Sequence, residues 1–92
     1  MIVVVTYDLN TANADYTPFY ESLKAQGDWW HYLKSTWLIS TNKSPLQISN
    51  EVLPKLYTND RLLVARLSRE MAAGWLAKEA WDWISARISK WP

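Results

Sequence analysis

Cysteine is absent from the 92-residue chain. Disulfides, thiolate nucleophiles and Cys-ligated zinc are therefore excluded, and the composition is compatible with the cytoplasm, the expected location. Histidine occurs once, at His31. No excess of one charge is present either: ten basic side chains stand against nine acidic ones, for a net charge of +1. That is far from the basic balance of a protein living mainly on phosphate backbones. Long apolar runs are missing as well. The N-terminal "IVVVT" run stops after five or six residues and has no basic segment before it, against the roughly 20 residues needed to span a bilayer. Neither a signal peptide nor a membrane span is expected.

What the chain does have is apolar and aromatic bulk. A hydrophobic content of 49% in 92 residues fits one domain over residues 1–92 and leaves no room for a second core. The charge is uneven along it: residues 1–60 carry four basic and six acidic groups, residues 61–92 six and three. A local basic face in the last third is compatible with that split. Seven tryptophans and five tyrosines exceed what a small core needs, since each ring buries a large area. Some of them are expected at the surface or in an interface.

The valine-rich run Ile2–Thr6 reads as a strand covered on both faces, with the carboxylate of Asp8 at its end. In "TANADYTPFYESLKAQG" a loop leads into a helix: Pro18 fits a first turn, Tyr16, Phe19, Tyr20 and Leu23 recur at helical spacing, and Gly27 marks the stop. Two β-rich runs follow, Trp29–Leu33 and Thr36–Ser40, with Lys34 and Ser35 as the hairpin turn, although neither is Gly or Asn. Ser44, Pro45 and Gln47 form a capping-box start to a second helix, carrying Ile48, Val52, Leu53 and Leu56 as its apolar stripe and Pro54 as a break. "RLLVARL" reads as a strand with Leu63, Ala65 and Leu67 on one face and Leu62, Val64 and Arg66 on the other. Ala77, Trp81, Ile84 and Ile88 mark an amphipathic helical tail over about 75–91.

The order strand, helix, strand, strand, helix, strand has one economical packing. It is an α+β fold, a ferredoxin-like βαββαβ antiparallel sheet with the first and third strands central and a C-terminal helical extension. The core is expected in residues 1–67. A first strand apolar on both faces then requires the second sheet face to be covered by the tail or by a partner subunit, so a homodimer is expected through that face or through the last strand.

The segments "TYDLN", "LKSTWL" and "NDRLLVARL", in this order in so short a chain, resemble the CRISPR-associated Cas-two proteins. "DWWHYLKSTWLI" and "GWLAKEAWDWI" are similar to the stand-alone branch often labelled SinR-like. The resemblance implies a ferredoxin-like homodimer in which Asp8 faces its symmetry mate, the pair holding one Mg²⁺ ion for phosphodiester hydrolysis as an endoribonuclease or endodeoxyribonuclease. Hard oxygen ligands suit Mg²⁺, which needs only one or two protein carboxylates. The resemblance also places Ser35 where family members carry a serine, while Leu33 and Lys34 replace the more usual Gln and aromatic residue before it. Proteins of this family also act without cleavage, as a structural bridge in spacer acquisition or in unassigned mobile-element roles.

Each candidate has a plainer alternative. Asp8 either holds metal or opens the loop "DLNTAN" by accepting backbone hydrogen bonds. Asp15 reads as a turn or helix-cap residue. His31 is a strand-face or interface residue, or a general base. Lys34, Arg66 and Arg69 offer phosphate contacts, with Arg61 upstream, or are simply solvated or paired with Asp60 or Glu70. Trp29 and Trp30 stack bases or fill a core or dimer contact. "NDR" at 59–61 reads as turn chemistry. Two functions follow: a Cas-two-like dimer handling nucleic acid through Asp8, or a non-catalytic adaptor whose exposed tryptophans engage a protein or a nucleotide ligand.

Overall fold

Apolar side chains on alternate positions of one strand can be buried only if something packs on each side of the sheet. Strand β1 (Ile2–Asp8) shows both coverings. In the computed structural model, which describes residues 1–67 and 74–88, its neighbours are β3 (Thr36–Ser40) and β4 (Arg61–Leu67), both antiparallel to it. β2 (Asp28–Leu33) completes a four-stranded antiparallel sheet in the order β2-β3-β1-β4. The first and third strands are thus central, as expected. Three short helices, α1 (Thr17–Lys24), α2 (Pro45–Val52) and α3 (Lys78–Ile88), make up the rest of this α+β fold.

Helices α1 and α2 cover one face. Phe19, Leu23, Ile48 and Val52 pack there on Val3, Val5, Tyr7, Trp37 and Ile39. Ring donors inside a core need acceptors. Trp37, only 2% exposed, donates from Nε1 to the Tyr7 hydroxyl at 3.0 Å, and burial pushes the Tyr7 phenol pKa up. The start of α2 is the expected capping box: Ser44 Oγ accepts from the Gln47 N–H at 3.2 Å, and Gln47 Oε1 accepts from the Ser44 N–H at 2.8 Å. Pro54 ends the helix as foreseen, in a 3₁₀ turn over Leu53–Lys55.

The other face is covered by the C-terminal helix. Ala80 and Ile84 of α3 pack on Ile2, Trp30 and Leu38, flanked by Val4, Leu67, Leu76, Trp81 and Trp83. Trp81 and Ile84 pack as expected, whereas Ala77 lies exposed ahead of the helix, Ala80 is buried instead, and Trp83 joins the contact. Arg87 fixes the helix to the edge strand, donating through Nε (2.9 Å) and Nη2 to the Asp28 carboxylate while its guanidinium lies 4.1 Å from the Trp83 ring centre. This cover reaches only part of the face. Leu63 of β4 is 61% exposed, and Asp8, Arg61 and Ala65 are exposed beside it.

Two local features differ in cause from the sequence expectation. Gly27 follows the helix, but what requires it is the close approach of chain segments where β2 begins, opposite Ser40: a Cβ there would lie 2.2 Å from the Ser40 carbonyl oxygen. The Lys34–Ser35 turn keeps negative φ at both residues, so it is neither of the primed turns whose twist matches a hairpin. The strand pair accommodates it by a bulge, in which His31 and Tyr32 together stand opposite Trp37.

Truncating Ile84 to Ala is expected to destabilise the fold by about 2–4 kcal/mol, the usual range for a fully packed aliphatic side chain. Urea unfolding monitored by circular dichroism checks this; a change near zero would mean that α3 does not pack on the sheet in solution.

Candidate functional site

Four chain segments meet where β1 leaves the sheet. The register places Asp8 opposite Arg61, and Thr6 between Thr36 and Leu63. The Tyr7 N–H donates to the Ser35 carbonyl at 3.1 Å, which brings the Lys34–Ser35 turn alongside the end of β1. Alternation puts Asp8, Thr6, Arg61, Leu63 and Thr36 on the face that α3 covers only in part. A shallow cavity of about 190 Å³ is lined there by Thr6, Tyr7, Asp8, Arg61, Leu62 and Leu63. Thr36 Oγ1 donates to Oγ1 of the lining residue Thr6 at 3.1 Å.

Asp8 is exposed, and among the described residues its carboxylate accepts no hydrogen bond and joins no ion pair. Arg61 is anchored elsewhere, donating through Nη1 to the carbonyls of Thr58 (3.2 Å) and Asp60 (2.9 Å). Lys34 is exposed in the hairpin turn and Ser35 half-buried. Asp8 and Arg61 line the cavity, and the Lys34–Ser35 turn borders the same end of the sheet. Among the described residues no group of three or more His, Asp or Glu side chains comes together, so one chain alone offers Asp8 as a single carboxylate ligand.

The remaining candidates lie apart. Arg66 pairs in register with Val3, five positions along β4 from Arg61, or about 17 Å at the usual rise of a strand. Arg69 falls outside the described residues. His31 and Trp29 sit on the opposite face of the sheet, against Trp37. Trp30 is buried under α3, which is its core alternative.

The loop-holding role foreseen for Asp8 belongs to Asp60. This carboxylate, in a residue 8% exposed, accepts from the Asn10 N–H (2.7 Å), the Thr11 hydroxyl (3.3 Å) and the Tyr16 hydroxyl (2.7 Å) through Oδ1, and from the Tyr57 N–H (2.9 Å) through Oδ2. It ties the loop after β1 to the turn before β4. Burial alone would raise its pKa, but the hydrogen bonds from Tyr16, Asn10, Tyr57 and Thr11 outweigh that and hold it below the ordinary value of 3.8. "NDR" is indeed a turn, yet no spacing rule reveals that its aspartate binds a loop 50 residues away. Asp15 takes the turn alternative, accepting from the Thr17 N–H two residues on at 3.0 Å, while the N-cap of α1 is Tyr16.

Set beside known protein families, curated proteins and solved structures, the chain matches none of them.

A carboxylate with a depressed pKa stabilises the folded state above its unfolded pKa, and that contribution fades as pH falls through the lower, folded value. Asp60→Asn is therefore expected to lower the urea midpoint at neutral pH. The gap from the parent should close progressively below the ordinary carboxylate pKa of 3.8. A gap that stays constant down to strongly acidic pH would show that the charge of Asp60 is not what holds the two loops.

Proposed function

We propose that the chain is a ferredoxin-like domain of Cas-two type that pairs with a second copy through the open part of its sheet face and handles nucleic acid there, the two Asp8 carboxylates together holding a magnesium ion. The observation that carries this reading is the unpartnered Asp8 carboxylate beside an uncovered apolar strip, Leu63 and Ala65. The strand order β4-β1-β3-β2 supports the fold part of the proposal.

Docking geometry narrows the arrangement. If two chains joined edge to edge along β4, two strands would separate the β1 strands, and at about 4.8 Å per strand the Asp8 residues would stay roughly 14 Å apart or more. Face-to-face docking over Leu63 and Thr6 removes that separation and covers the strip left bare by α3. The donor set then fits Mg²⁺, which accepts two carboxylates and keeps several waters. Held there, such an ion supplies Lewis acidity and an activated water toward a phosphodiester. The chain's own part is to place Asp8 at a fixed strand end, with Arg61 in register and Lys34 on the neighbouring turn to offset phosphate charge.

A second reading has its own observation. Trp75 is 99% exposed, and an indole left entirely in water suits a non-catalytic adaptor that docks a protein partner.

The first reading predicts a dimer by sedimentation at tens of micromolar, converted to monomer by Leu63→Glu. It further predicts Mg²⁺- or Mn²⁺-dependent cleavage of RNA or DNA that Asp8→Ala lowers by at least about a hundredfold, since even changes behind the first ligands cost up to that much. A parent protein that is monomeric, or cleavage equal in the Asp8→Ala variant, overturns it. A blank nuclease assay together with a partner lost on Trp75→Ala favours the adaptor.

A further inference from the structure

On the sheet face covered by α1 and α2, β2 places His31 across from Trp37, and the His31 ring lies over the indole, the ring centres 4.2 Å apart and the planes 13° from parallel. The bulge that follows sets Tyr32 opposite Trp37 as well; bulges concentrate at sheet edges and functional sites. Beside the stacked pair opens a cleft of about 400 Å³, lined by Tyr20 and Lys24 from α1 and by Trp29, His31, Tyr32 and Trp37. That volume lies within the range of small-molecule sites.

Its lining has three properties. The walls are flat rings with free area, since Trp29 and Tyr32 are both exposed. Lys24 is exposed, its Nζ 5.4 Å from the centre of the Trp29 ring and 3.5 Å from Glu21, in an exposed pair of little strength. His31 Nε2 is buried and has no hydrogen-bond partner. Buried polar atoms are nearly always satisfied, because leaving one unpaired costs free energy.

We infer that this cleft is a binding site for a nucleobase carrying a phosphate, the base stacked on the Trp29 and Tyr32 rings with an edge hydrogen-bonded to His31 Nε2 and the phosphate on Lys24. Stacking on aromatic side chains is how proteins take up bases without regard to sequence. A ring nitrogen supplies the edge contact that an aliphatic or purely aromatic ligand would leave unmet. The lysine adds the charge complement. The site lies on the other face of the sheet from Asp8, needs no metal and no second chain, and stands or falls separately from the dimer.

The test uses the full chain in EDTA, titrated with adenosine monophosphate, adenosine, inorganic phosphate and a short single-stranded oligonucleotide. Because His31 is the sole histidine, its ring protons give an unambiguous NMR signal, with calorimetry for affinity. The monophosphate is expected to shift the His31 ring signals, adenosine to bind at least about tenfold more weakly, and phosphate alone to leave the ring unmoved. His31→Phe, which keeps a ring on Trp37, and the surface change Lys24→Gln are each expected to weaken the monophosphate at least about tenfold. An oligonucleotide binding more tightly than the monophosphate identifies a single strand as the source of the base; equal or weaker binding identifies the free nucleotide. No shift of the His31 signals at millimolar monophosphate, or unchanged affinity in both variants, overturns the inference.

Discussion

The hydrogen bond from Trp37 Nε1 to the Tyr7 hydroxyl joins the two central strands inside the core. An indole can be this deeply buried only if its N–H finds an acceptor, and a tyrosine can be its acceptor only if the hydroxyl lies inside. Tyr7 meets Phe19 edge-on at 5.1 Å, and Trp37 is flanked by Tyr20, Trp29 and His31. The aromatic excess of the sequence is thereby accounted for in part: one layer of rings links α1 to the sheet and runs outward to the edge strand. The same rings that fill the core form the floor of the cleft beside it.

The two sheet faces do different work. On one, α1 and α2 complete a closed core. On the other, α3 covers the end of the sheet holding Ile2, Leu38 and Trp30 and leaves the end holding Thr6, Asp8 and Leu63 open. The exposed Leu63, on the edge strand β4, lies there beside the unpaired Asp8 carboxylate. Among the described residues no helix is long and apolar enough to cross a membrane, so the open strip is not explained as part of a membrane-spanning helix.

Local signals in the sequence carried far. The capping box at Ser44, the two-residue turn at Lys34 and Ser35, and the break at Pro54 all depend on neighbours in the chain, and all stand where the sequence put them. The position of β1 in the middle of the sheet followed from its lack of alternation. Long-range matters did not follow. Nothing near Asp60 in the sequence announces partners at Asn10, Thr11 and Tyr16, because those contacts depend on where two loops come to rest. The bulge that sets Tyr32 beside His31 opposite Trp37 is a property of register between strands, and the spacing of "WWHYL" is compatible with a regular strand. Along α3, Trp81 and Ile84 face the sheet as their spacing predicts, while Ala77 drops out because the helix begins only at Lys78, a boundary that spacing alone does not fix.

Asp60 also ties two loops together at the rim of the open face. Its two oxygens take backbone N–H groups from Asn10 and Tyr57, which belong to separate loops, while Tyr16 and Tyr57 meet edge-on at 5.7 Å. Tyr57 and Asp60 share one turn, so the bond between them survives if the loop after β1 lifts, whereas that lifting strips Oδ1 of its three donors from Asn10, Thr11 and Tyr16. The cost of freeing that loop is therefore the cost of handing one carboxylate oxygen back to water.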